Sequence, residues 1–183
     1  MNKSTALLLI DIQKGLDQWD YYGGNRNNHN AEQNASIILD QWRAKEFLII
    51  HIKHNSLSPE SPLHQSHQGN AIKDEVLPTS EELVISKNVN SGFIGTNLDQ
   101  HLKSKGIKSL IMAGLTTNHC VSSTARMGSN LGYHVTVISD ATAAFDQIGA
   151  NGTIYNAEIV HQISLANLKD EFAQIQSTQN LLK

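Results

Sequence analysis

Three short stretches that are apolar at almost every position constrain this chain more than anything else in it: residues 5–10 (TALLLI), 47–52 (FLIIHI) and 109–113 (SLIMA). A strand with one face in water alternates apolar and polar residues. A strand apolar throughout is buried on both faces, as in the middle of a parallel sheet. Parallel neighbours cannot be joined by a tight turn, so each needs a crossover, usually a helix. Residues 31–46 supply the first one, with Ala35, Ile38, Leu39 and Trp42 at intervals of three and four, the pattern of one helical face.

The alternation continues along the chain. Residues 83–86 read as a short strand, 98–105 as a helix closed by Gly106, and 109–113 as a strand ending at Gly114. Residues 121–131 read as helix, 134–139 as strand, 154–168 as helix and 172–177 as a last, weaker strand. Six strands with intervening helices and right-handed crossovers predict an α/β fold, a doubly wound parallel sheet in order 3-2-1-4-5-6 with helices on both faces. At 183 residues the chain has the size of one domain, taken as 1–183.

Composition then removes whole classes of function. Fourteen Lys+Arg against 17 Asp+Glu, scattered and giving a formal net charge of -3, form no basic stripe for a phosphate backbone, so nucleic acid is not an expected partner. Residues 6–10 are the longest apolar run, far below the roughly 20 residues that span a bilayer. No membrane association is expected, and without a signal-peptide core or cleavage site the expected location is cytoplasmic. Neither G-x-G-x-x-G after the first strand nor G-x-x-x-x-G-K-[ST] occurs, so no nucleotide cofactor is expected.

In doubly wound sheets ligands bind beyond the carboxyl ends of the central strands, where the winding reverses. That rule points to Asp11, to the turn Gly114–Cys120 and to Lys87 after the third strand. Cys120 is the single cysteine, so it is either inert packing or reactive chemistry. Its place at the opening of a helix favours chemistry, because a helix amino terminus stabilises a thiolate and offers N–H groups to an oxyanion. A carboxylate at Asp11 suits proton abstraction. His51, His54, His64 and His67 invite a metal reading, but no Asp accompanies them before Asp74, and residues three apart on a strand face opposite ways, so no metal site is expected.

LLLIDIQKG at 7–15, SKNVNSGFIGTNL at 86–98, IMAGLTTNHCVSSTARM at 111–127 and LGYHVTVISDATAAFD at 131–146 together resemble the isochorismatase-like cysteine hydrolases, which include nicotinamidases and carbamoyl-amide hydrolases. The resemblance covers nearly the whole chain. It implies a catalytic Asp11, Lys87 and Cys120, a cis peptide at Leu115–Thr116, an oxyanion hole from the backbone N–H groups of Thr116 and Cys120, and a homo-oligomer, dimer or tetramer. The nicotinamidase branch carries Asp-x-His and a further His after its second strand, where this chain reads His54-Asn55-Ser56, which removes the metal set of that branch. Leu16 stands where relatives often have Phe, with Trp19, Tyr21 and Tyr22 following, so the pocket wall differs.

The expected activity is hydrolysis of a C–N bond in a small amide, carbamoyl or lactam substrate, without cofactor. Trp19, Arg26, His54 and Phe93 are the expected pocket lining, with Arg26 a candidate for an anionic substrate group. The alternatives are hydrolysis of a vinyl ether, which needs no thiol nucleophile, and a binding or redox-sensing protein using Cys120 as the oxidisable group.

Overall fold

A computed structural model describes residues 2–183. Strands β1 (Thr5–Ile10), β2 (Ile49–His54), β3 (Leu83–Lys87), β4 (Ser109–Leu115) and β5 (His134–Ala143) come first. They are followed by the two-residue strands β6 (Gln147–Ile148) and β7 (Ile154–Tyr155) and by β8 (Gln174–Gln176). The helices are α1 (Trp19–Tyr22), α2 (Ala31–Ala44), α3 (Leu98–Ser104), α4 (Ser122–Asn130), α5 (Ala157–Leu168) and α6 (Thr178–Leu181). The main sheet has six strands in the order β3-β2-β1-β4-β5-β8, every pairing parallel. This is the expected 3-2-1-4-5-6 order with β8 in sixth place.

Strand β1 lies between β2 and β4, and all six of its residues are buried. Its even-numbered side chains (Ala6, Leu8, Ile10) pack with residues of α3, α4 and α5, such as Leu102, Ala125 and Leu165. Leu7 and Leu9 pack on the other face with Ile38, Leu39 and Trp42 of α2 and with Leu181 of α6. The alternation of Cβ atoms thus feeds two cores, one on each face. The antiparallel pair β6–β7 was not anticipated: with only two residues per strand it carries no periodic signal.

The sheet runs further at its carboxyl edge than the sequence indicates. β2 extends to His54 and β3 to Lys87, and these two residues are register partners. The close approach of β1 and β4 at this edge requires Gly114, whose φ is +138°. A Cβ there would fall 2.0 Å from the Ile10 carbonyl oxygen, so no other residue fits without moving a strand. Asp11, directly after β1, adopts a left-handed φ of 52°, a region Asp tolerates better than most residues.

A buried ionic knot ties the loops around this edge to α2. Glu32 Oε1 accepts hydrogen bonds from Arg26 Nη1 (2.8 Å) and Lys73 Nζ (2.6 Å), while Oε2 accepts from Arg26 Nη2 (2.5 Å). Burial pushes the Glu32 carboxyl up, but the bonds and charges of Arg26 and Lys73 overcome it and hold the group at about 2. Removing one partner leaves buried charge uncompensated, so Glu32→Gln should cost about 3–5 kcal/mol in denaturant unfolding. The folded carboxyl titrates below its ordinary 4.5, so this contribution is complete above that pH and is lost as pH falls from 4.5 towards 2. The variant should therefore show a shallower loss of stability over that interval.

Candidate active site

The carboxyl ends of three strands deliver three polar side chains to one point. Lys87, the last residue of β3, is buried and donates from Nζ to Asp11 Oδ2 at 2.6 Å and to His54 Nδ1 at 2.9 Å. Register explains the meeting: His54 and Lys87 sit side by side at the ends of adjacent strands, and Asp11 follows the strand on the other side of β2. Burial and then the Lys87 charge push the His54 imidazole below its ordinary value, keeping it neutral and able to accept.

Gln13, wholly buried, fixes the end of β2 with its carboxamide. Its Oε1 accepts from the His54 backbone N–H (2.8 Å), and its Nε2 donates to the carbonyls of His54 (3.0 Å) and Asn70 (2.9 Å). Sequence reasoning passed over Gln13, because a lone amide in a motif has no spacing signature.

Cys120 arrives from β4. The peptide Leu115–Thr116 is cis, and residues Thr117–Val121 form a π-helical turn that runs into α4. The helical segment therefore begins four residues earlier than the expected 121, with Cys120 inside the turn. Two hydroxyls hold the turn: Thr117 bonds His161 Nδ1 of α5 at 2.8 Å, and Thr124 donates to the Cys120 carbonyl at 2.7 Å. The Cys120 thiol donates weakly to Asn90 Oδ1 at 3.9 Å.

Electrostatics at the thiol differ from the expectation of a thiolate favoured by the helix terminus. Burial, and then the negative charge of Asp11, push the Cys120 thiol well above its ordinary value, with Lys87 opposing only in part. Asp11 Oδ1 is buried and has no hydrogen-bond partner among the described residues. A carboxylate oxygen of Asp11, a ring nitrogen of His54 and Cys120 Sγ all lie within 4.8 Å of one another.

These groups border a pocket of about 200 Å³. Asp11, His54, Thr116 and Cys120 are in its lining, together with Leu16, Leu63 and Phe145. Tyr22, named in the sequence for a differing pocket wall, lines it too, as does Asn118, which was not singled out although its segment was. Three expected lining residues stand elsewhere. Arg26 is buried with both Nη atoms committed to Glu32, which removes it as an anion receptor. Phe93 is part of the core and stacks on Tyr133 at 6.0 Å, because the chain after β3 turns back under α4. Trp19 stacks on His29 at 5.3 Å, outside the pocket lining.

The four histidines considered as ligands do not meet. His51 bonds Glu82 at 2.9 Å, His64 and His67 lie together in the loop after β2, and His54 alone reaches the pocket. A cation at the Asp11–His54–Cys120 cluster would lie beside the Lys87 ammonium, which already bonds Asp11 Oδ2 and His54 Nδ1 and would repel it.

The model of the Isochorismatase domain matches residues 5–180. The chain belongs to the isochorismatase family. An uncharacterized isochorismatase family protein of Bacillus subtilis is 49% identical over 182 residues, covering 100% of this chain and 96% of the relative. A crystal structure of a putative hydrolase of the isochorismatase family from Chromobacterium violaceum superposes with a TM-score of 0.94 at 38% identity, covering 99% of this chain and 93% of the other. A ureidoacrylate amidohydrolase of Acinetobacter baylyi is 36% identical over 111 residues, 60% of this chain and 40% of the relative. The protein is a hydrolase of this family, and among its described residues no helix is long and apolar enough to cross a membrane.

Two outcomes are expected for this isochorismatase-family hydrolase. Iodoacetamide labelling of Cys120 against pH should give an apparent thiol pKa above the ordinary range, and Lys87→Met should move it higher still, since the lost cation disfavours thiolate. Prolonged chelator treatment should leave turnover and the thermal midpoint unchanged.

Proposed function

We propose that the protein hydrolyses a C–N bond of a small amide, carbamoyl or lactam substrate through a thioester to Cys120. The observation that carries this reading is the division of labour on one carboxylate. Asp11 Oδ2 is taken by Lys87, Oδ1 is left buried without a partner, and an oxygen of this carboxylate lies within 4.8 Å of Cys120 Sγ. A buried acceptor without a partner is costly to maintain, and this reading assigns it the thiol proton.

In this mechanism the pocket admits the substrate carbonyl over Cys120. As sulfur attacks the carbonyl carbon, the S–H proton passes to Asp11 Oδ1, so the thiol ionises only when its electrons are moving into the new C–S bond. The raised thiol pKa is consistent with that timing. The backbone N–H groups of Thr116 and Cys120, both in the pocket lining, would receive the oxyanion. Collapse breaks the C–N bond, and Asp11 returns its proton to the departing nitrogen. Water, losing a proton to Asp11, then attacks the thioester, and the thiolate leaves as the proton comes back to sulfur. Lys87 orients Asp11 throughout and, through His54, is fixed to the end of β2. A named amidohydrolase among the relatives supports the same bond type.

The test is ammonia and carboxylate release over a panel of amides, carbamoyl compounds and lactams under multiple-turnover conditions. Cys120→Ala should lower kcat by about 10⁴-fold or more. Cys120→Ser should be nearly as poor, because a hydroxyl ionises far less readily. Asp11→Asn should lose turnover to a similar degree while still being alkylated at Cys120, since labelling does not need a proton carrier at every step. Undiminished amide hydrolysis by Cys120→Ala would sink the covalent mechanism, and isochorismate hydrolysis by that variant would favour ether cleavage in its place.

A further inference from the structure

The lining of the pocket bears on the charge of what enters it. Among the described residues no lysine or arginine lines it. Of the two cations singled out in the sequence, Arg26 is committed to Glu32 outside the lining, and Lys87 is held by Asp11 and His54 of the lining, where the carboxylate offsets its charge. Both histidines in the lining are shifted below their ordinary value, half-buried His54 by burial and the Lys87 charge and the more exposed His119 by partial desolvation, so both imidazoles favour the neutral form near pH 7.5. The Asp11–Lys87 ion pair compensates itself, so no unpaired positive charge remains in the lining to attract an anion. Leu16, Leu63 and Phe145 make an apolar wall with nothing to replace the hydration of a second charge.

The polar character that is left is an unmet demand for hydrogen bonds. Asn118 Oδ1 and Tyr22 Oη are buried without partners among the described residues, and both residues border the same pocket as Asp11. Buried polar atoms are nearly always satisfied, so orphans that share a cavity mark where a ligand completes the network. A carbonyl oxygen accepts only, which means its partner must carry N–H or O–H.

We propose, on the amidohydrolase reading of this site, that the substrate is a small uncharged carboxamide or carbamoyl compound. An N–H of that substrate donates to Asn118 Oδ1, its apolar part lies against Leu16, Leu63 and Phe145, and compounds bearing a carboxylate are rejected. Asn118 is then a specificity residue. It lies two positions before the nucleophile in the same turn, so recognition and chemistry share one rigid piece of backbone.

Binding to the Cys120→Ala protein separates this inference from turnover. Calorimetry at pH 7.5 with two pairs, butyramide against succinamate and benzamide against terephthalamate, adds a carboxylate remote from the amide, and in the first pair it does so with little change of size. The uncharged member of each pair should bind about a hundredfold tighter, because a carboxylate would lose its water without gaining a partner. In the same background Asn118→Leu should weaken butyramide and benzamide by about tenfold, the worth of one buried hydrogen bond. Asn118→Asp, which keeps an acceptor in the same shape, should retain their binding, whereas a merely structural Asn118 would lose it in both variants. Equal or tighter binding of the anions overturns the proposal, as does failure of both uncharged amides to bind. Uncharged amides that bind but release no ammonia with the intact enzyme uphold the charge preference and sink the amidohydrolase reading, so the two failures are distinguishable.

Discussion

The reactive end of the molecule depends on one contact, the 2.6 Å hydrogen bond from Lys87 Nζ to Asp11 Oδ2. The two residues are 76 positions apart in the chain and both are buried, so neither charge is tolerable alone. Lys87 finds its second acceptor in His54, on the strand that separates β3 from β1. The pair therefore reports the register of three strands at once. A slip of one residue in β3 would turn Lys87 to the opposite face and leave Asp11 with an unpaired buried charge. Sheet register and site geometry are consequently the same constraint.

The chain contains two buried carboxylates held by cations, and the difference between them is informative. Glu32 has both oxygens occupied, by Arg26 and Lys73, and serves to fasten loops to α2. Asp11 has one oxygen occupied and one open, and its carboxylate lies within 4.8 Å of the Cys120 thiol, whose pKa burial raises. Full satisfaction stabilises; partial satisfaction leaves a group able to take a proton. The second arrangement persists because the folded sheet, through Gly114 and the left-handed turn at Asp11, holds the carboxylate where it cannot relax.

Much of the architecture was legible because it follows from burial. Continuous apolar runs in β1 and β4 and the three-and-four spacing in α2 reflect which faces must leave water, and those demands are local in sequence. The strand order then follows from crossover handedness. Less was legible at the edges. The extension of β2 and β3 to His54 and Lys87, the π-helical turn Thr117–Val121 and the hairpin β6–β7 are set by neighbours and hydrogen bonds rather than by hydropathy.

The sequence by itself determined the doubly wound sheet and the positions of Asp11, Lys87 and Cys120 at one sheet edge, since strand ends are marked where apolar runs stop. Only the tertiary structure decided the state and surroundings of those groups. It withdrew Arg26 into an ion pair with Glu32 and Phe93 into the core, and it brought Asn118, Tyr22 and Phe145 to the pocket. It also reversed the expectation for the thiol, whose pKa is raised by burial and by Asp11 against the pull of Lys87. The physical reason is that pairing, desolvation and cavity shape depend on distances between residues remote in the chain, and a linear sequence carries those distances only once it has folded.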